Sequence, residues 1–118
     1  MKYTAFIAAA ALCGGIATVS AADLDAAALA KVRATYEKEC ARCHGKDGKG
    51  DTRVGRRLEC KDYSKAEVWA KLKEPEVLKV LKEGLQKDGR ILMRPYGHKL
   101  KDQELKDLIT YMKTFKKD

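Results

Sequence analysis

Histidine, proline and tryptophan are scarce in this sequence: its 118 residues include two histidines, two prolines and one tryptophan, together with four cysteines. A structural zinc site usually needs two pairs of Cys or His ligands at defined spacing. Cys40, Cys43 and His44 supply one group, but no second pair exists, so zinc is disfavoured. Alternating strand patterns are also lacking. That absence argues against the βαβ context of a thioredoxin-type Cys-x-x-Cys motif.

The N-terminus has the order of parts of a secretory signal peptide. Lys2 supplies a positive start, residues 3–19 are mostly apolar, and small residues lead up to Ala22. That order predicts a signal peptide over residues 1–22, cleaved near Ala22, and one exported domain over residues 23–118. An uncleaved membrane anchor is the alternative, because about 20 apolar residues suffice to span a bilayer. With cleavage, the domain is expected to be exported, without a membrane span.

An exported chain in an oxidising compartment commonly forms disulfides. The predicted domain, however, keeps three cysteines, Cys40, Cys43 and Cys60, and an odd number argues against a disulfide framework. Cys60 stands between Glu59 and Lys61. It is expected to be either a partly buried small hydrophobe or an exposed thiol that links two copies of an otherwise monomeric protein.

The formal net charge is +8 at pH 7. Such a balance favours acidic partners and says little about the fold. Binding to nucleic acid is not expected, because the chain has no clustered basic run interleaved with aromatic residues.

Apolar periodicity predicts an all-α fold with four helices and no strands. The first helix carries Leu29, Val32, Tyr36 and Cys40 on one stripe. The predicted helices cover residues 25–40, 64–72, 75–84 and 101–116, with a glycine-rich loop at 45–55 and irregular backbone at 86–100. So small a set of helices often needs an additional group to complete its core.

Residues 40–44 read Cys-Ala-Arg-Cys-His and match C-x-x-C-H, the attachment signature of c-type haem. Two thiols at this spacing add across the two haem vinyl groups, and the adjacent histidine binds the iron. We therefore predict one haem c per chain, with its iron, attached through Cys40 and Cys43 and ligated by His44.

The residues alone leave the sixth iron ligand open. Met112 falls on the apolar stripe of the last helix, which favours an ordinary core position. His98 follows Gly97 in a polar stretch, which favours the surface. Met93 lies in the irregular segment before the last helix, where it is either a ligand or another buried methionine.

Three segments of the chain resemble a class I c-type cytochrome of the small bacterial periplasmic kind. Tyr36 to Gly45 is similar to the family's first helix and haem site, Met93 to Tyr96 to its ligand loop, and Leu100 to Tyr111 to its last helix. The resemblance implies first and last helices that cross around one haem, with Tyr36 near Tyr111. It also implies that Met93 is the distal ligand.

One departure concerns the proximal histidine. In much of the family, a proline carbonyl soon after the haem motif accepts the second ring N–H. No proline occurs between His44 and Pro75 here. The acceptor is therefore expected to be another carbonyl, near Val54 and Gly55.

Coordination by His44 and Met93 together leaves no open iron site, and a thioether ligand raises the reduction potential. The expected function is a soluble single-electron carrier, not an enzyme. The alternative is a haem protein whose distal site opens, of a peroxidase-like or gas- or redox-sensing kind. Basic residues beside the predicted ligands would steer the carrier onto an acidic face of a reductase, oxidase or larger cytochrome. These residues are Arg42, Lys46, Lys49, Arg90, Arg94 and Lys99.

Overall fold

A computed structural model describes residues 24–117, within which six helices and one two-stranded sheet occur. The predicted signal peptide, residues 1–22, lies outside the described residues. No helix within residues 24–117 combines the length and apolar character that a bilayer crossing requires. The elements are α1 (Ala26–Glu39), α2 (Ala41–His44), α3 (Arg53–Arg57), α4 (Ala66–Lys71), α5 (Glu74–Glu83), β1 (Leu85–Lys87), β2 (Arg90–Met93) and α6 (Asp102–Lys113).

Helix α1 begins at a typical N-cap, since the Asp25 carboxylate accepts a hydrogen bond from the Ala28 backbone N–H at 2.7 Å. Val32 and Tyr36 on this helix are buried. Leu29, which was predicted on the same stripe, is 42% exposed. The buried face of α1 is therefore narrower than its apolar periodicity indicated, since Leu29 on the same stripe stays exposed.

Helix α6 supplies half of the buried hydrophobic core. Four of its side chains are buried: Leu105, Leu108, Ile109 and Met112. The helix packs against α1 and α5, and the Tyr36 and Tyr111 rings meet edge to face with centroids 5.4 Å apart. The implied contact between the first and last helices is confirmed.

Two predictions about the middle of the chain were wrong. Residues 86–100 are not wholly irregular, because β1 and β2 pair antiparallel around Asp88 and Gly89, which both have positive φ (51° and 72°). Asp-Gly with two positive φ angles is the preferred two-residue hairpin turn. The fold is thus mostly helical with a small sheet, not all-α. The second error concerns the loop predicted at residues 45–55. Its last residues belong to helix α3, which the Thr52 side chain caps.

Candidate functional site

The first cysteine of the motif joins two helices. Cys40 ends α1, with its backbone N–H donating to the Tyr36 carbonyl at 2.9 Å, and it also begins the one-turn helix α2. The Cys43 and His44 N–H groups both donate to the Cys40 carbonyl, at 3.2 and 2.9 Å. The two cysteines and the histidine are thereby held on a single helical turn, as covalent attachment of one haem requires.

Two carbonyls of this turn are fixed by the segment that follows it. The Thr52 hydroxyl donates to the Cys43 carbonyl at 2.8 Å, and the Gly50 N–H donates to the His44 carbonyl at 2.7 Å. The same hydroxyl of Thr52 accepts the Gly55 N–H at 2.8 Å. The Thr52 side chain therefore both caps α3 and anchors the haem motif.

A third carbonyl is fixed from α1. The Tyr36 hydroxyl donates to the Gly45 carbonyl at 2.8 Å, and the Tyr36 ring packs on Phe115 with centroids 5.1 Å apart. Cys43, His44 and Gly45 thus each have their carbonyl bonded to a different part of the chain. Because the backbone on both sides of His44 is held, the direction of its side chain is set by the fold.

Close backbone contact explains a glycine in α3. A Cβ atom added at Gly55 would overlap the carbonyl oxygens of Gly50 and Cys43, both of which are main-chain atoms. The φ angle at this position is not positive, so the requirement comes from space and not from conformation. Helix α3 therefore lies directly against the turn that carries the predicted haem ligands.

The His44 side chain is half-buried, and burial lowers its pKa below the usual histidine value. Its Nδ1 atom is buried and has no hydrogen-bond partner among the described residues. The acceptor expected near Val54 and Gly55 is not formed there, since both carbonyls accept backbone N–H groups instead. A neutral imidazole in an apolar setting is the form that binds a metal, so His44 fits an iron ligand.

The Cys40 thiol and the arrangement of possible metal ligands bear on two other interpretations of the motif, a redox-active Cys-x-x-Cys pair and a zinc site. Burial raises the pKa of Cys40 to about 12, whereas redox-active Cys-x-x-Cys motifs depend on a lowered thiol pKa. Within residues 24–117, no three His, Cys, Asp or Glu side chains converge on a possible metal position. The raised thiol pKa disfavours a thioredoxin-type motif, and the lack of converging ligands disfavours a zinc site.

Met93 is the last residue of β2, and its half-buried side chain packs against the core. The segment that follows it is tied to the haem motif: the Tyr96 hydroxyl donates to the Glu39 carbonyl at 3.0 Å, and Lys99 Nζ lies 2.6 Å from Glu39 Oε1. Of the other candidates, Met112 is a core residue.

His98 is exposed, as its polar surroundings indicated. These placements agree with Met93 as the distal ligand that the resemblance implied. The bond between Met93 and the iron stays a prediction.

Sequence reasoning missed the role of Thr52. Its position before a short helix was the available signal, since threonine is a favoured N-cap.

Comparison with known proteins settles the family. The family model for "Cytochrome C oxidase, cbb3-type, subunit III" matches residues 27–112. Among solved structures, one titled KustC0563 c-type cytochrome is similar with a TM-score of 0.63 and 30% sequence identity, covering 72% of this chain and 96% of that one. This chain belongs to the small class I c-type cytochromes.

A variant of the same protein, with phenylalanine in place of a tyrosine, gives a TM-score of 0.61 and 28% identity, with 72% and 98% of the two chains covered. No curated protein sequence matches this chain. As a c-type cytochrome, it is an electron-transfer protein that carries haem c. The comparisons give no support to the alternative of an opening distal site.

Proposed function

We propose that this cytochrome is an exported carrier of single electrons, with one haem attached at Cys40 and Cys43 and ligated by His44 and Met93. The observation that carries the proposal is the Tyr96 hydrogen bond to the Glu39 carbonyl. It brings the segment after Met93 against the residue that precedes Cys40. Two iron ligands supplied from these segments would leave no open coordination position, and the thioether would favour the reduced state.

The test is the mass and spectrum of the exported protein. We expect an intact mass that includes one haem and lacks residues 1–22, with low-spin absorption in both oxidation states. Replacing both Cys40 and Cys43 with serine should abolish covalent haem. A high-spin spectrum of the unchanged protein, or haem removable by acidified solvent, would contradict the proposal.

The proposed carrier is steered by positive charge near the haem motif and the Met93 segment. All six basic residues predicted there are exposed. Five of them, Arg42, Lys46, Lys49, Arg90 and Arg94, form no ion pair within residues 24–117, whereas Lys99 is paired with Glu39. The positive field is therefore expected to come mainly from the other five, facing an acidic partner surface.

Small charged oxidants can measure this field without a known partner. Oxidation of the reduced protein by anionic ferricyanide should slow as salt rises from about 10 to 150 mM, because the screening length falls from roughly 30 to 8 Å. At low salt, ferricyanide should oxidise the double variant Lys46→Glu, Lys49→Glu more slowly than the unchanged protein. Lys71→Glu with Lys106→Glu changes the net charge equally and serves as the matched control.

A cationic cobalt complex should respond in the opposite direction, accelerating with salt. Equal effects of the two double variants would show that only net charge acts, with no localised basic face.

The sequence left open whether Cys60 links two copies of the protein. Cys60 is half-buried, and burial raises the pKa of its thiol, which lowers the reactive thiolate fraction. We propose a monomer on this ground. Non-reducing electrophoresis of the exported protein tests it, and a disulfide-linked dimer would overturn it.

A further inference from the structure

The His44 ring lacks the hydrogen bond that usually fixes the rotation of an iron-ligating histidine. The bonds to the backbone around His44 set only where its side chain begins. The last torsion of a histidine side chain is broad and roughly two-fold, so the ring of a ligand is normally oriented by a bond from its second nitrogen. Nδ1 of His44 is buried and has no such partner among the described residues. Another contact has to fix the plane of this ring.

Tyr63 supplies that contact. Its ring lies beside the His44 ring, with the two centroids 5.5 Å apart and the two planes at 39°. This spacing falls within the roughly 4.5–7 Å of favourable aromatic pairs. Among the ring pairs formed within residues 24–117, His44 takes part in this one alone. The Tyr63 ring is thus the flat surface against which the imidazole rests.

Tyr63 is itself held at three points. Its backbone N–H donates to the Gly48 carbonyl at 2.8 Å, and its carbonyl accepts the indole N–H of Trp69 at 2.8 Å. The Trp69 ring also packs on the Tyr63 ring, with centroids 5.3 Å apart. Because both its backbone and its ring are fixed, Tyr63 can act as a rigid stop for the His44 imidazole.

The unpartnered nitrogen also bears on the iron. Nδ1 of His44 is closed off from solvent, which leaves Nε2 as the nitrogen that binds the iron. An acceptor for the Nδ1 proton would raise the basicity of the ligand, and a more basic imidazole stabilises ferric iron because it donates more charge. Without an acceptor, His44 is a weaker donor, so the ferrous state is favoured and the reduction potential is higher.

We propose that Tyr63 is the positioning residue of the proximal histidine, replacing by ring packing the hydrogen bond that Nδ1 lacks. Tyr63 fixes the plane of the His44 imidazole and keeps water away from Nδ1, so the ring is oriented without becoming more basic. This role rests on the proposed ligation of the iron by His44, and it adds a specific residue that sets the reduction potential of the carrier.

Electron paramagnetic resonance of the oxidised protein measures the ring orientation, because the g values of low-spin ferric haem depend on the planes of its axial ligands. We expect the same narrow lines from the unchanged protein and from Tyr63→Phe, which keeps the ring. Tyr63→Leu should broaden the lines, since the imidazole can rotate, and should lower the reduction potential as water reaches Nδ1. A tenfold change in the ratio of the two oxidation states, at the low end of what such partners contribute to ligand affinity, is about 59 mV for one electron.

Tyr111→Leu is the matched control. Tyr111 is also half-buried and packs against two aromatic rings, those of Tyr36 and Phe115, but it does not pair with His44. This variant should lose stability while keeping the g values and the potential of the unchanged protein. If it changes both as Tyr63→Leu does, general loosening of the fold is responsible and the inference is overturned. Unchanged lines and potential in Tyr63→Leu overturn it as well.

The unchanged protein provides a test that needs no variant. In its reduced, diamagnetic state, proton NMR should show a nuclear Overhauser effect between the Tyr63 and His44 rings, and an Hδ1 resonance without the downfield shift of a hydrogen bond. A downfield Hδ1 resonance, or Tyr63→Phe behaving as Tyr63→Leu, overturns the inference. Failure of the proposed function looks different, since the His44 ring protons would then lack the large upfield shifts of a haem ligand.

Discussion

Replacing Gly55 with alanine tests the packing of α3 against the haem motif. Two effects oppose each other in this variant. Alanine is favoured over glycine inside a helix by up to about 1 kcal/mol. The added methyl group, however, overlaps the main-chain carbonyl oxygens of Gly50 and Cys43. Overpacking costs about 1–3 kcal/mol, and the upper end applies here because neither oxygen can move by a side-chain rotation.

The net result is a loss of about 2 kcal/mol in the free energy of unfolding. For a domain of this size, about 1 kcal/mol shifts the melting temperature by roughly 4–8 °C, so we expect a decrease of about 8–16 °C. Trp69 is the one tryptophan in the chain, and its fluorescence during denaturant unfolding gives the free energy directly. Covalent haem yield should also fall, since Cys43 is displaced.

Gly89→Ala is the matched control, with the same chemical change in different surroundings. Gly89 has φ +72° and nothing within 4 Å of an added Cβ atom. The control therefore carries only the conformational cost of a left-handed alanine, about 1–2 kcal/mol, with normal haem yield. A Gly55→Ala protein as stable as the unchanged one would refute the packing described for α3.

Three further predictions concern single side chains. Met93→Ala should keep covalent haem but lose the methionine–iron absorption, whereas Met112→Ala should keep that absorption and lose about 2–5 kcal/mol of stability; the reverse pattern would identify Met112 as the ligand. Tyr36→Phe should cost about 0.5–1.5 kcal/mol by denaturant unfolding, because the Gly45 carbonyl loses one of its two donors and keeps the Gly48 N–H; no change would show that the hydroxyl bond adds nothing to stability. The hydrogen bond from Lys99 lowers the pKa of Glu39, so this pair stabilises the fold above the ordinary carboxyl pKa and ceases to do so as pH falls below it. The melting-temperature gap between the unchanged protein and Lys99→Met should therefore close from about pH 6 to pH 3, and a constant gap would contradict the pairing.

The helices were predictable because their determinants are local. Pro75 at the start of α5 and Gly84 at its end, with φ +77°, set the boundaries that the sequence indicated. The apolar stripe of α6 likewise identified its buried face. Leu29 was misplaced because periodicity says which residues share a face, and not whether another element covers that face.

The hairpin could not be found from periodicity, since strands of three and four residues are too short to show an alternating pattern. The Asp-Gly pair at residues 88–89 was the available local signal. Within the candidate site, the C-x-x-C-H motif identified the attachment turn. The anchoring bond from Tyr96 to Glu39 depends on how distant segments meet, which residue spacing does not encode.

The bonds around the haem motif also imply an order of assembly. The hydrogen bonds from Tyr36 to Gly45 and from Thr52 to Cys43 each close a loop of nine residues, whereas the bond from Tyr96 to Glu39 spans 57. Short loops cost less chain entropy to close and form sooner. The turn that presents the two cysteines can therefore be in place while the chain beyond it is still unfolded. Haem attachment would then precede the arrival of the Met93 segment, and the late-forming side of the site would be the one that opens first when the protein is stressed.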